Sequence, residues 1–132
     1  MKVFLSYAAR DARIAKIVAS RLSEAGFSVW NPADQIMPGD NWALELGRAL
    51  NKADAIVVLL SPAALAAPTV QREIDFALGN PRFKGRLVPV VVRPVKSIPW
   101  ILETLPTFKI TSDPDRASRQ VVQALRRIKS AA

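Results

Sequence analysis

Ala55-Ile56-Val57-Val58-Leu59-Leu60, followed by Ser61-Pro62, is the stretch that decides the fold. Its unbroken apolarity suits a strand covered on both faces, the habit of parallel sheets. Ser61 can cap the next helix, with Pro62 at a first helical position. Next comes Thr69-Val70-Gln71-Arg72-Glu73-Ile74-Asp75-Phe76-Ala77-Leu78, which reads as helix. Projected at about 100° per residue, Val70, Ile74, Ala77 and Leu78 share one face. Glu73 falls on the border of that face, between Ala77 and Phe76. Such a carboxylate can be partly desolvated beside a pocket. It can equally be a boundary residue near a helix N-terminus, where negative charge is favoured anyway.

Outward from this core the pattern alternates strand and helix. Val3 to Tyr7 reads as a first strand and Arg10 to Ala25 as a helix, with Ile14, Ile17, Val18, Leu22 and Ala25 inward. Gly26 closes that helix in the C′ role. Phe27 to Trp30 is a second strand, and Asn31 to Asp40 a loop containing Pro32 and Pro38-Gly39. Asn41 to Asn51 is a helix with Ala43, Leu46, Gly47 and Leu50 inward. The Glu73 helix stops at Gly79-Asn80-Pro81. Leu87 to Val92 is a fourth strand, although Pro89 removes a ladder donor and fits best near a strand end or beside an edge. Arg93 to Thr104 is an irregular connection, Leu105 to Ile110 a weak fifth strand, and Asp113-Pro114 opens a last helix. Ala117, Val121, Ala124, Leu125 and Ile128 lie on one side of it.

Five strands alternating with helices imply an α/β fold with a parallel sheet and helices on both faces. Right-handed crossovers and 132 residues favour the flavodoxin-like strand order 2-1-3-4-5 in a single domain, 1–132. Connections then leave strands 1 and 3 in opposite directions, opening a crevice at their carboxyl ends. Tyr7 to Asp11, Ser61 to Thr69 and the loop Asn31 to Asp40 all reach that rim. The second of these segments leads directly into the Glu73 helix.

Composition narrows the chemistry. Half of the residues are hydrophobic, so a packed core is expected rather than disorder. No apolar run approaches the roughly 18 residues of a membrane span, and none reads as a signal peptide. A cytoplasmic location is the default expectation. There is neither Cys nor His, which removes disulfides, thiolate catalysis, the Ser-His-Asp triad and ordinary zinc sites. No metal or cofactor is expected. Nineteen Lys and Arg against eleven Asp and Glu give a net charge of +8. That balance suits a solvated basic face, or a surface for an acidic partner or a neighbouring copy. Aromatic residues are not interleaved with the basic clusters, so a base-stacking platform is not indicated.

No glycine-rich phosphate loop comes after any strand. A phospho-receiver would need acids after strand 1 and an Asp after strand 3. The chain offers Ser6-Tyr7-Ala8-Ala9 and Ser61-Pro62 instead. No acid pair suits a two-carboxylate glycosidase. One reaction does suit a lone carboxylate: cleavage of an already cationic N-glycosidic bond. The nicotinamide of NAD leaves as a neutral molecule and needs no general acid. One carboxylate can steady the oxocarbenium-like ribose or trap it.

Four motifs now stand in order: Val3-Phe4-Leu5-Ser6-Tyr7; Gly26 to Trp30 with Ile36 to Trp42; Val57 to Pro62; and Arg72-Glu73-Ile74 with Ala77-Leu78. In this order and spacing the chain resembles the TIR (Toll/interleukin-1 receptor) domain family, especially its bacterial members, over nearly its whole length. The resemblance implies a self-associating domain that in many members hydrolyses or cyclises NAD once assembled, in signalling or defence. It implies Glu73 as the catalytic glutamate, and Tyr7, Ala8 and Arg10 as the lining of the ribose and phosphate side. It puts Trp30 and Trp42 at positions bounding the loop that contains Pro38 and Gly39. Trp30 packing under that loop and Trp42 as a half-buried first-turn residue are the plainer readings. The family often carries Trp four residues before the glutamate; here that position is Thr69, which removes an aromatic wall. A scaffold pairing with other TIR domains through Pro38 and Gly39 is the alternative function. A nucleoside deoxyribosyltransferase, which also sets a carboxylate at a ribose carbon, is a third.

Overall fold

All six residues of Ala55–Leu60 are buried, so this strand can only be the middle of a sheet covered on both faces. The computed structural model describes residues 1–32, 38–109 and 114–131. Five strands run in parallel: β1 (Lys2–Ser6), β2 (Ser28–Trp30), β3 (Ala55–Leu60), β4 (Leu87–Val91) and β5 (Phe108–Lys109). Their order is β2-β1-β3-β4-β5, the order expected from the sequence. The register pairs Ser6 with Val58 and Leu60 with Val91.

The helices are α1 (Ala12–Glu24), α2 (Trp42–Lys52), α3 (Pro62–Ala66), α4 (Pro68–Gly79), α5 (Trp100–Glu103) and α6 (Pro114–Ala131). The alternation of a strand's side chains divides the core in two. Val3, Leu5, Val57 and Leu59 face α1 and α6, packing with Val18, Leu22, Val121 and Leu125. Phe4, Ile56, Val58 and Leu60 face the other layer, with Leu50, Ala64, Val70, Ile74 and Ala77.

Several expectations are corrected. Ile17, Ala43 and Leu78 are exposed rather than inward. On α1 the buried stripe instead runs through Ala15, Val18, Ala19 and Leu22, because small residues let that helix approach the sheet closely. Two helices follow Ser61, with a break at Ala67-Pro68, where Pro68 opens α4. The connection after β4 contains the short helix α5. Pro89 sits mid-strand. The Val92 amide donates to Leu60 on the β3 side, so the alternating amides of β4 leave position 89 pointing to the β5 side. The β5 pairing begins only at Val90, so the missing donor falls beside the uncovered stretch. Ile110, Asp113 and the loop residues 33–37, including Ile36 and Met37, lie outside the described residues.

Candidate functional site

The carboxyl end of β1 delivers Ser6 and Tyr7, and the chain turns at once through a 3-10 segment, Ala9–Asp11. The carboxyl end of β3 delivers Ser61. Its hydroxyl accepts the Ala64 amide at 3.0 Å and so caps α3. Only the Ala67 turn separates α3 from α4, and Gln71 reaches back to the Leu65 carbonyl at 3.0 Å to hold the two together. This short, tied connection sets Glu73 two turns into α4, on the face that packs on the sheet.

Glu73 is 5% exposed. The border position read from the helical projection is therefore on the buried side. Its Oε2 is sealed from solvent with no hydrogen-bond partner. Burial raises its carboxyl from 4.5 to about 7, because the charged form loses hydration. The neighbouring Ser6 hydroxyl pulls in the opposite sense by favouring the anion. Yet Ser6 Oγ is itself buried and makes no hydrogen bond of ordinary geometry. Two adjacent buried polar atoms thus stand unsatisfied, an arrangement that folding alone disfavours.

Around this pair the other residues proposed from the sequence take distinct places. Tyr7 is half-buried and its hydroxyl donates to Asn31 Oδ1, which joins the exits of β1 and β2. Ala8 turns its methyl into the core, and its carbonyl accepts the Asp11 amide at 2.8 Å. Arg10 is exposed and has no ion-pair partner among the described residues. Trp30 is half-buried and stacks on Phe4 with ring centroids 4.9 Å apart, so it does pack as the plainer reading holds. Trp42 opens α2 and is more exposed than a half-buried first-turn residue would be. Thr69, one turn before Glu73, is half-buried. The structure therefore sets Ser6 beside Glu73, with Ala8 in the core cluster on the α4 side; Tyr7 packs with the opposite cluster, and Trp42 lies outside both.

Sequence reasoning passes over two residues. Ser6 stands out there only as part of a motif. Asp11 is fully buried; it accepts from the Ser61 hydroxyl and from Arg93 Nε at 2.9 Å, joining the exits of β1, β3 and β4. An Asp within a loop segment carries no local signal of burial; only a predicted convergence of three strand ends at this rim could have suggested it. Cavities formed by described residues lie to either side. One of about 330 Å³ lies between β2 and α2 and is lined by Trp30, Arg48 and Lys52. Another of about 480 Å³ lies at the exit of β4 beside Arg93. Glu73 lines neither. No group of acids that could hold a metal occurs among the described residues.

The family model of the TIR domain matches residues 3–125. Among solved structures, the chain is similar to the TIR domain of the Toll-related receptor TRR-2 from Hydra magnipapillata. The TM-score is 0.76 at 19% identity, over 96% of this chain and 97% of that one. It is also similar to a metazoan TIR-STING receptor from C. gigas, solved in complex with 2′,3′-cGAMP. There the TM-score is 0.79 at 23% identity, over 93% of this chain and 38% of the receptor. A CMP N-glycosidase of Clostridium botulinum, BcmB, matches with a TM-score of 0.58 at 19% identity, over 92% and 98%. At these identities the likeness is one of fold. No curated protein sequence matches the chain.

Proposed function

Because the chain belongs to the TIR domain family, we propose that it is an NAD glycohydrolase, active once copies assemble and serving signalling or defence. The observation that carries this reading is Glu73, buried at the carboxyl rim of the sheet with an unpartnered oxygen and its carboxyl held at about 7. A buried carboxylate without a cationic partner is costly to maintain. A cationic substrate supplies what the site lacks.

In the reaction the bond from ribose C1′ to the nicotinamide nitrogen breaks, and its electron pair stays on that nitrogen. The ring leaves neutral. Positive charge passes to the ribose, where the Glu73 carboxylate steadies it at close range in a medium of low polarity. Water then adds at C1′ and loses a proton, giving ADP-ribose. Capture of C1′ by a nitrogen of the adenine gives a cyclic product instead. NAD is the substrate and no further cofactor takes part. Tyr7, the backbone of Ala8 and the guanidinium of Arg10 border this rim, and Arg10 suits a phosphate oxygen. The fold accommodates N-glycosidic chemistry, as the name of the Clostridium botulinum neighbour indicates for that protein.

Concentrated parent protein incubated with NAD is expected to release nicotinamide, and Glu73→Ala to release it at least a hundredfold more slowly. Equal rates would remove Glu73 from the chemistry. A specific observation also favours a scaffold role, alone or alongside catalysis. Pro38, Gly39 and Asp40 form an exposed turn, with Gly39 at φ +92° and the exposed side chains of Trp42 and Leu44 beside it. Light scattering on Pro38→Ala is the check: unchanged assembly would acquit this turn as the contact.

A further inference from the structure

We infer that Ser6 is a positioning residue for Glu73: its hydroxyl anchors one carboxylate oxygen, Oε2, and thereby leaves the other, Oε1, to face the cationic sugar. This inference rests on the reading of Glu73 as the carboxylate that faces the ribose. Ser6 Oγ and Glu73 Oε2 are both sealed from water and lack partners, and the Ser6 hydroxyl neighbours the Glu73 carboxyl. Small changes in the side-chain torsions of Ser6 and Glu73, with no movement of the backbone, let the hydroxyl donate to Oε2. The bond has little to gain while the acid holds its proton. It becomes charge-assisted, and roughly twice as strong, once the acid ionises. The strand supplies the precision. Ser6 is fixed by its pairing with Val58 in the middle of the sheet, so the donor sits on a rigid element while Glu73 sits on a helix tied through Gln71.

The remaining charged groups leave this task to Ser6. α3 (Pro-Ala-Ala-Leu-Ala) and β3 carry no ionisable side chain. On α4 itself Arg72 and Asp75 are exposed. From the 3-10 turn Pro81–Phe83, Arg82 is committed to the carbonyls of Leu50 and Asn51. Asp11, five residues beyond Ser6, is held by Ser61 and Arg93. Tyr7 is engaged with Asn31. Among the described residues, the Ser6 hydroxyl is the group that acts on the Glu73 anion.

The test is a carbon-13 titration of the Glu73 side-chain carboxyl, monitored by NMR in the parent, Ser6→Ala and Ser6→Thr. Nicotinamide release across the same pH range accompanies it. In Ser6→Ala the titration midpoint is expected to move up by about one pH unit, the worth of one charge-assisted hydrogen bond. In Ser6→Thr, which keeps the hydroxyl, it is expected to stay near the parent value. Release at neutral pH should fall roughly fivefold in Ser6→Ala through kcat, with KM little changed, and recover at higher pH. Coincident titrations of parent and Ser6→Ala overturn the inference, whether or not NAD is cleaved. A parent that cleaves no NAD but shows the titration shift keeps the Ser6–Glu73 contact and sinks the enzymatic reading instead.

Discussion

At position 73 the chain keeps a carboxyl where a neutral amide would fold more cheaply. The sign comes from the raised value in the folded state. Below about pH 4.5 the group is protonated in both folded and unfolded chains and costs nothing through ionisation. As pH rises toward 7, the unfolded chain ionises first and stability drains away. The span from 4.5 to about 7 is worth of order 3 kcal/mol above pH 7. Glu73→Gln is therefore expected to raise stability by about 1–3 kcal/mol at about pH 8 and to change it little at about pH 4, in chemical denaturation at both values. A variant equally destabilised at both would show that Glu73 is a structural residue. Glu73 is legible in the sequence because helical periodicity places a side chain on a face. Its burial is not, since a border position is settled by the groups that pack across it. Ser6 and Asp11 are illegible for the same reason: a small polar residue at a strand exit looks alike whether it meets water or another strand's end.

At the scale of elements, caps and breaks account for most of the structure that the sequence reveals and most of the structure that it hides. The unbroken run 55–60, the Ser61-Pro62 start and the Gly26 stop are all readable, because each is a local conformational demand. The end of α2 is different. Arg82, about thirty residues further on, donates to the carbonyls of Leu50 and Asn51 with its guanidinium 4.6 Å over the Phe83 ring. The last turn of α2 thus borrows its cap from another part of the chain, and no local signal announces this. Arg82→Ala is expected to cost about 1–2 kcal/mol in denaturant unfolding, with Lys recovering only part, since an ammonium lacks the planar fork that spans two carbonyls. A loss below a few tenths of a kcal/mol would mean that water caps the helix as well. The break at Pro68 is a local demand too, since proline disfavours helical backbone in the residue before it and suits a first helical position. That break aims α4, and with it Glu73, at the rim.

For the whole molecule, strand order and the two-sided core come from alternation, right-handed crossovers and the apolar run, so the architecture is legible almost throughout. Assembly is not, because a surface shows its partner only by composition. A net charge of +8 makes copies repel one another. Self-association is therefore expected to strengthen when salt is raised from about 50 to about 300 mM, as screening shortens the range of that repulsion. Light scattering that falls with salt would point to a contact between opposite charges instead. Specific activity should climb with protein concentration in parallel. Gly39→Ala strains a backbone at φ +92° whatever the open space around it, so it should blunt the climb at a cost of about 1 kcal/mol in stability. The most direct measurement of the central claim is the rate of nicotinamide release against pH in concentrated protein. The rate is expected to rise through a midpoint near 7 as Glu73 loses its proton, with no such rise in Glu73→Gln. The same pH profile in parent and Glu73→Gln would contradict it.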